Sequence, residues 1–295
     1  MRMPFSSVIA YSAISLAIFN SGLAALAFYK WLKTKEKLRK YTEKYNNSKE
    51  VQRYLMHHFG QVKDLPHLAA IIPLELANYH SLLALFTSDT CDEYDVPKVR
   101  VLDVGCGPGG TSFQLSRFFR EVIGTDTSMD MLMAGQMLKQ FNEFTASFSN
   151  EGGKHISMIK VRVPEGADRE RVTFLDEDVC ALSYKCGFFD CVLVSNALTD
   201  LSDPKQFLES IGEYVKTGGL LIISDVFNWE NGPEEDLNGE GDNLSVSEIR
   251  KILSSAWIFK KEHDIPYYFP RCARLAEVGN SNITVWMRAP ENCDD

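Results

Sequence analysis

The chain has 295 residues, 45% of them hydrophobic and 24% charged, with a formal net charge of −9. That length suits one large α/β domain with additions, and the apolar content is ordinary for a globular protein. Residues 1–50 hold nine basic and three acidic side chains, whereas the remainder holds 22 basic against 37 acidic; an acidic body argues against a nucleic-acid substrate, because phosphate binding needs a basic surface.

The seven cysteines include no C-x-x-C pair and no zinc-like His/Cys spacing, so no metal is expected. Their odd number and scatter point to reduced thiols in a cytosolic setting. From Met3 to Tyr29 there is no charged residue, and Phe5 to Tyr29 is long enough, at ~1.5 Å per residue, to cross a hydrocarbon core of ~30 Å. Ser6, Ser7, Ser12, Ser15, Asn20 and Ser21 interrupt it, and Lys30, Lys33, Lys35, Lys37, Arg39, Lys40 and Lys44 follow. This predicts a single-pass transmembrane helix with the rest of the chain facing the cytosol, anchored by Tyr29, Lys30 and Trp31. The basic stretch reads as a headgroup-binding patch or as a solvated topology signal. A cleaved signal peptide and a helix packed on the domain are the alternatives. The expected organisation is an anchor and basic segment over 1–47, a helical cap over 48–98, a catalytic domain over 99–289 and a tail over 290–295.

Ser48 to Phe86 has helical spacing and should form helices over a site. Val99 to Val104 reads as a buried parallel strand, ending in Gly105-x-Gly107-x-Gly109, with a helix from about Thr111. A second apolar run, Glu121 to Thr125, ends in Asp126. Strand, glycine turn, helix, strand and acid open a nucleotide-binding α/β unit. Phe141 to Glu170 reads as a long polar insertion. Arg171 to Leu182 holds a third strand and its loop, and Phe189 to Asn196 a fourth strand. Asp203-Pro204 opens a helix to about Tyr214, with proline in the tolerated first turn. Lys216 to Gly219 reads as a turn, Leu220 to Ser224 as a strand, and Asn231 to Asn243 as a loop near the mouth of the site. Ile258 to Tyr268 and Asn282 to Met287 read as the last two strands. The alternation implies a mostly parallel, Rossmann-like sheet of seven strands with helices on both faces.

Asp103, two residues before the first glycine, and the G-x-G-x-G spacing resemble the first motif of class I S-adenosylmethionine methyltransferases. The resemblance implies a last strand that is antiparallel and S-adenosylmethionine as cofactor. It also implies cofactor contacts from Asp103, Gly105, Cys106, Gly107, Gly109, Asp126, Thr127, Asp178, Val179 and Asn196. Asp103 would organise the methionine end, Asp126 would accept from the ribose and Asp178 would face the adenine amine.

Three segments outside these motifs are similar to the C-terminal methyltransferase domain of ovothiol synthases, a family that methylates an imidazole nitrogen of 5-thiohistidine. They are Val51 to Gly60, Val163 to Phe174, and Asp264 to Arg274 with Ile283 to Trp286. The function so implied is N-methylation of a small histidine derivative. Asn196, Tyr268, Arg271 and Arg274 are the candidate catalytic residues, the arginines as clamps for a substrate carboxylate and Asn196 as an orienting amide. His57, His58 and His80 are candidate bases or buried structural histidines, and Tyr267 or Tyr268 could meet an imidazole. Methylation of another small molecule or a membrane lipid, and a non-catalytic cofactor-binding scaffold, remain as alternatives.

Overall fold

The computed structural model describes residues 48–60, 79–150, 155–182, 187–229, 244 and 246–290, with a few isolated positions between 28 and 36. The expected membrane anchor and the Asn231–Asn243 loop lie outside the described residues; among those described, no helix is long and apolar enough to cross a membrane. The chain divides into two compact units, Met1–Lys40 and Tyr41–Asp295.

The second unit opens with two helices, α1 (Ser48–Phe59) and α2 (Tyr79–Glu93). Strand β1 (Arg100–Val104) follows and leads through the glycine turn into the short helix α3 (Gly110–Leu115). Next come β2 (Glu121–Asp126) and α4 (Met129–Phe141). The hairpin of β3 (Glu143–Asn150) and β4 (His155–Arg162) precedes β5 (Val172–Asp176) and β6 (Phe189–Ser195). Helix α5 (Pro204–Ser210), β7 (Val215–Asp225), α6 (Val246–Leu253), β8 (Trp257–Cys272) and β9 (Leu275–Arg288) complete it.

Seven strands form one sheet in the order β5-β2-β1-β6-β7-β9-β8. The pairs from β5 to β7 are parallel, and β9 runs antiparallel to both β7 and β8. Val101, Leu102 and Val104 of β1 and Val192, Leu193 and Val194 of β6 are fully buried. Continuous apolar runs of this kind are what a sheet covered on both faces requires. Each such side chain contributes about 1.5–3 kcal/mol relative to exposure.

Local chemistry sets the helix ends. Ser128 caps α4 by accepting from the Met131 amide, and Asp203 caps α5 by accepting from Gln206, with Pro204 at the first turn. The expected helix to Tyr214 ends at Ser210 and continues as a 3₁₀ turn over Ile211–Tyr214.

Two expectations are corrected. Lys216 to Gly219 lies within β7 rather than forming a separate turn; the β6–β7 register shifts between Phe189 and Cys191, and the strand absorbs Gly218 at φ 77°. The polar insertion contains the β3–β4 hairpin, whose Ala146, Phe148, Ile159 and Val161 are buried. That hairpin packs under α1 and α4.

Candidate functional site

The site is built where β1, β2 and β6 end. Gly105 (φ 64°), Gly107 (φ 53°) and Gly109 (φ 87°) take the left-handed conformation that glycine allows. A side chain on Gly105 would run into Cβ of Ala197, and one on Gly109 into the Phe174 ring. Gly109 therefore serves packing, while Gly105, Cys106 and Gly107 line a cavity together with Asp103 and Asp126.

Asp103 is 1% exposed. Its Oδ2 accepts from Ser112 Oγ at 2.5 Å, and its Oδ1 is buried without a partner among the described residues. Burial pushes its pKa up to about 7, with the nearby Asp126 charge adding to the shift. Asp126 accepts from the amides of Gly107 (2.9 Å) and Ser128 (2.8 Å), and burial raises its pKa to about 6 despite those bonds. Cys106 packs against Gly124 and is held as a thiol by burial.

The other wall of the cavity comes from the two cap helices and β8. It presents Tyr54, His57, His58, Tyr79, His80 and Tyr267. The His58 and His80 rings stack at 4.0 Å, and His57 meets His80 edge-on at 4.7 Å. Tyr267 lies 5.5 Å from His57 and 5.3 Å from Tyr79. His57 and His80 are buried and His58 partly so, and desolvation keeps all three neutral: it lowers the pKa of His57 to about 3 and holds those of His58 and His80 well below 6.5.

Each ring has one nitrogen anchored. A hydrogen bond to the Tyr268 backbone partly offsets the effect of burial on His57, and its Nδ1 is buried with no partner among the described residues. His58 Nδ1 accepts from the Gly110 amide at 3.0 Å, which places the proton on Nε2. His80 Nδ1 contacts Thr111 Oγ1 at 2.7 Å, and its Nε2 is buried and unpaired among the described residues.

One nitrogen from each ring lies within 4.8 Å of the others, a spacing that could suggest a metal. The Gly110 bond argues otherwise: a His58 ring that accepts through Nδ1 has no lone pair at Nε2 to give.

Asn196 takes a positive φ of 49° at the end of β6 and lines the cavity. Its Nδ2 donates to Tyr79 Oη at 2.6 Å, and Tyr79 Oη also contacts Ser224 (3.1 Å) and Ser195 (3.3 Å). The amide thus fixes Tyr79 rather than reaching freely into the cavity.

Several expected residues fall elsewhere. Asp178 spends Oδ1 on the Cys180 amide and Oδ2 on Ser202 Oγ. Neither it nor Val179 nor Thr127 lines the cavity. Tyr268 turns into the core at 3% exposure, and its neighbour Tyr267 faces the cavity instead. Arg271 pairs with Glu277 at 2.5 Å and lies over Phe269, and Arg274 is exposed at the β8–β9 turn. Neither arginine is among the residues that line the cavity; Arg271 is held at its edge by Glu277.

Residues 102–223 match the family described as "Methyltransferase domain". This stretch, under half of the chain, is similar to that domain. It spans β1 to β7 and so contains the glycine turn, Asp103, Asp126 and Asn196. The chain is 27% identical over 138 residues to the demethylmenaquinone methyltransferase of Renibacterium salmoninarum, covering 47% of this chain and 46% of that protein. It is 23% identical over 183 residues to a ubiquinone biosynthesis O-methyltransferase of Cereibacter sphaeroides, covering 62% and 59%. The corresponding values for phosphoethanolamine N-methyltransferase 1 of Zea mays are 25% over 141 residues, 48% and 23%. The chain thus spans about half or less of the length of most of these relatives.

S-adenosylmethionine is the cofactor that such a domain implies, and the residues present fit it. The unpaired Asp103 Oδ1 suits the ammonium of the methionyl half, and the Asp126 carboxylate suits ribose hydroxyls.

Proposed function

We propose that the protein is an S-adenosylmethionine-dependent methyltransferase that methylates an imidazole nitrogen of a small histidine derivative of the 5-thiohistidine type. The observation that carries the proposal is a single cavity joining the Asp103–Gly107–Asp126 half to a neutral wall of His57, His80, Tyr54, Tyr79 and Tyr267. The flat, uncharged imidazole ring of such a substrate suits this wall, because aromatic faces stack on it.

The cofactor supplies a methyl group already activated on a sulfonium. The protein has to align a lone pair with that methyl and exclude water. An imidazole attacks through its unprotonated nitrogen while the other nitrogen carries N–H. His57 Nδ1, unpartnered among the described residues, takes that N–H in a hydrogen bond and so selects the reactive tautomer. As the N–C bond forms and the S–CH3 bond breaks, the sulfonium charge passes to the ring, whose N–H proton leaves to water when the methylated product is released.

The names of the quinone-pathway relatives raise a second acceptor, a phenolic hydroxyl. A phenol must lose its proton as it is methylated, and a histidine whose pKa is lowered to about 3 is a poor base for that purpose. The ring nitrogen, which needs no deprotonation before attack, is the better match. The proposed cytosol-facing membrane anchor over residues 1–29 rests on sequence alone.

The test is incubation of the full chain with S-adenosylmethionine and, separately, 5-thiohistidine, histidine and a quinol, with mass spectrometry of each product. A methylated imidazole nitrogen from 5-thiohistidine is expected. Turnover of the quinol alone overturns the substrate assignment and keeps the enzyme class.

A further inference from the structure

The cofactor carries a carboxylate, yet among the described residues that line the cavity there is no lysine or arginine. Four backbone amides of the glycine turn are committed inside the protein. Cys106 N–H donates to Thr125 O, Gly107 N–H to Asp126 Oδ2, Gly109 N–H to Cys106 O and Gly110 N–H to His58 Nδ1. Among the described residues, neutral side-chain donors are what the lining offers that carboxylate.

Asn196 Nδ2 is given to Tyr79 Oη, and Thr111 Oγ1 is engaged with His80. His58 differs, because its proton is fixed on Nε2 by the Gly110 amide. The Cε1–Nε2 edge of its ring stands 3.5–3.6 Å from the position a Gly107 Cβ would occupy, directly over the turn. The ammonium that Asp103 suits and the carboxylate share one carbon in the cofactor, so they must lie side by side.

Resting on the methyltransferase reading, we infer that His58 is a cofactor-binding residue whose Nε2–H donates to the methionyl carboxylate of S-adenosylmethionine. His57 and His58 are adjacent in α1 and turn different nitrogens into the cavity, His57 its Nδ1 and His58 its Nε2. One accepts on the acceptor side and the other donates on the cofactor side.

The test needs no substrate. Binding of S-adenosylhomocysteine and of 5′-methylthioadenosine, which lacks the amino-acid end, is measured by calorimetry on the full chain and on His58→Phe and His58→Gln. His58→Phe should weaken S-adenosylhomocysteine about tenfold to a hundredfold, the range for a hydrogen bond to a charged group. It should leave 5′-methylthioadenosine within twofold. His58→Gln, whose amide can accept from Gly110 and donate onward, should recover part of the loss.

Equal weakening of both ligands, or of neither, overturns the inference and leaves the methyltransferase reading intact. Failure of the unmodified chain to bind S-adenosylhomocysteine overturns both.

Discussion

Asp103 shows how one buried carboxylate can tie cofactor binding to pH. Its pKa is raised to about 7 because burial penalises the charge, and Asp126 beside it sits at about 6. A cationic ligand favours the ionised carboxylate, so bound cofactor should hold both groups deprotonated. Affinity for S-adenosylhomocysteine is therefore expected to be full above pH 7 and to decline as pH falls through about 7 and then about 6. Calorimetry between pH 5.5 and 8.5 checks this, and a flat profile would count against the ammonium contact. Asp103→Asn should weaken binding by about 1.5–3 kcal/mol and remove the upper part of the pH dependence. Gly109 tests the turn itself. Gly109→Ala places a methyl on a φ of 87° and against Phe174, so it should cost at least about 1–2 kcal/mol in thermal or denaturant unfolding.

At the scale of elements, the β3–β4 hairpin supports α1 from below, although its sequence is polar. Phe148→Ala should cost about 3–5 kcal/mol of stability in chemical denaturation, as for a core aromatic; a loss under about 1 kcal/mol would show the hairpin to be peripheral. The hairpin escapes a sequence reading because Phe144, Ala146 and Phe148 alternate with Thr145, Ser147 and Ser149, a weak signal amid polar residues. By contrast, β1, the glycine turn, β2 and Asp126 are legible directly, because strand, turn and acid lie within 27 residues and each has a local cause. The acceptor half of the cavity is not legible in this way. His57 and His80 meet only through the packing of α1 on α2, and which of Tyr267 and Tyr268 faces inward depends on β8 register. Arg271, which the tail offers as a clamp, is paired with Glu277 across the β8–β9 ladder, a partner that lies outside the segment read for it.

For the whole molecule, the acidic body and the basic N-terminal segment predict an orientation that the chain can report itself. Asn46, Asn243 and Asn282 lie in N-x-S/T sequons. If residues 1–29 span a membrane with the catalytic unit in the cytosol, none should carry a glycan in a eukaryotic cell. Glycosylation at Asn46 or Asn243, seen as a mobility shift removed by an N-glycosidase, would reverse the orientation. Asn282 is the less informative site, because its Nδ2 already donates to Glu262 and Asp264.

The cavity beneath α1 has room for a few waters, about 50 Å³. Helix α1 forms one wall of it and carries both His57 and His58. A cofactor bound through His58 fixes that helix, and with it the His57 face on which the acceptor docks. Turnover should then follow a compulsory order, cofactor first and demethylated cofactor last. S-adenosylhomocysteine should inhibit competitively against S-adenosylmethionine, and the methylated product should not. A random-order inhibition pattern would mean that the two halves of the cavity fill independently.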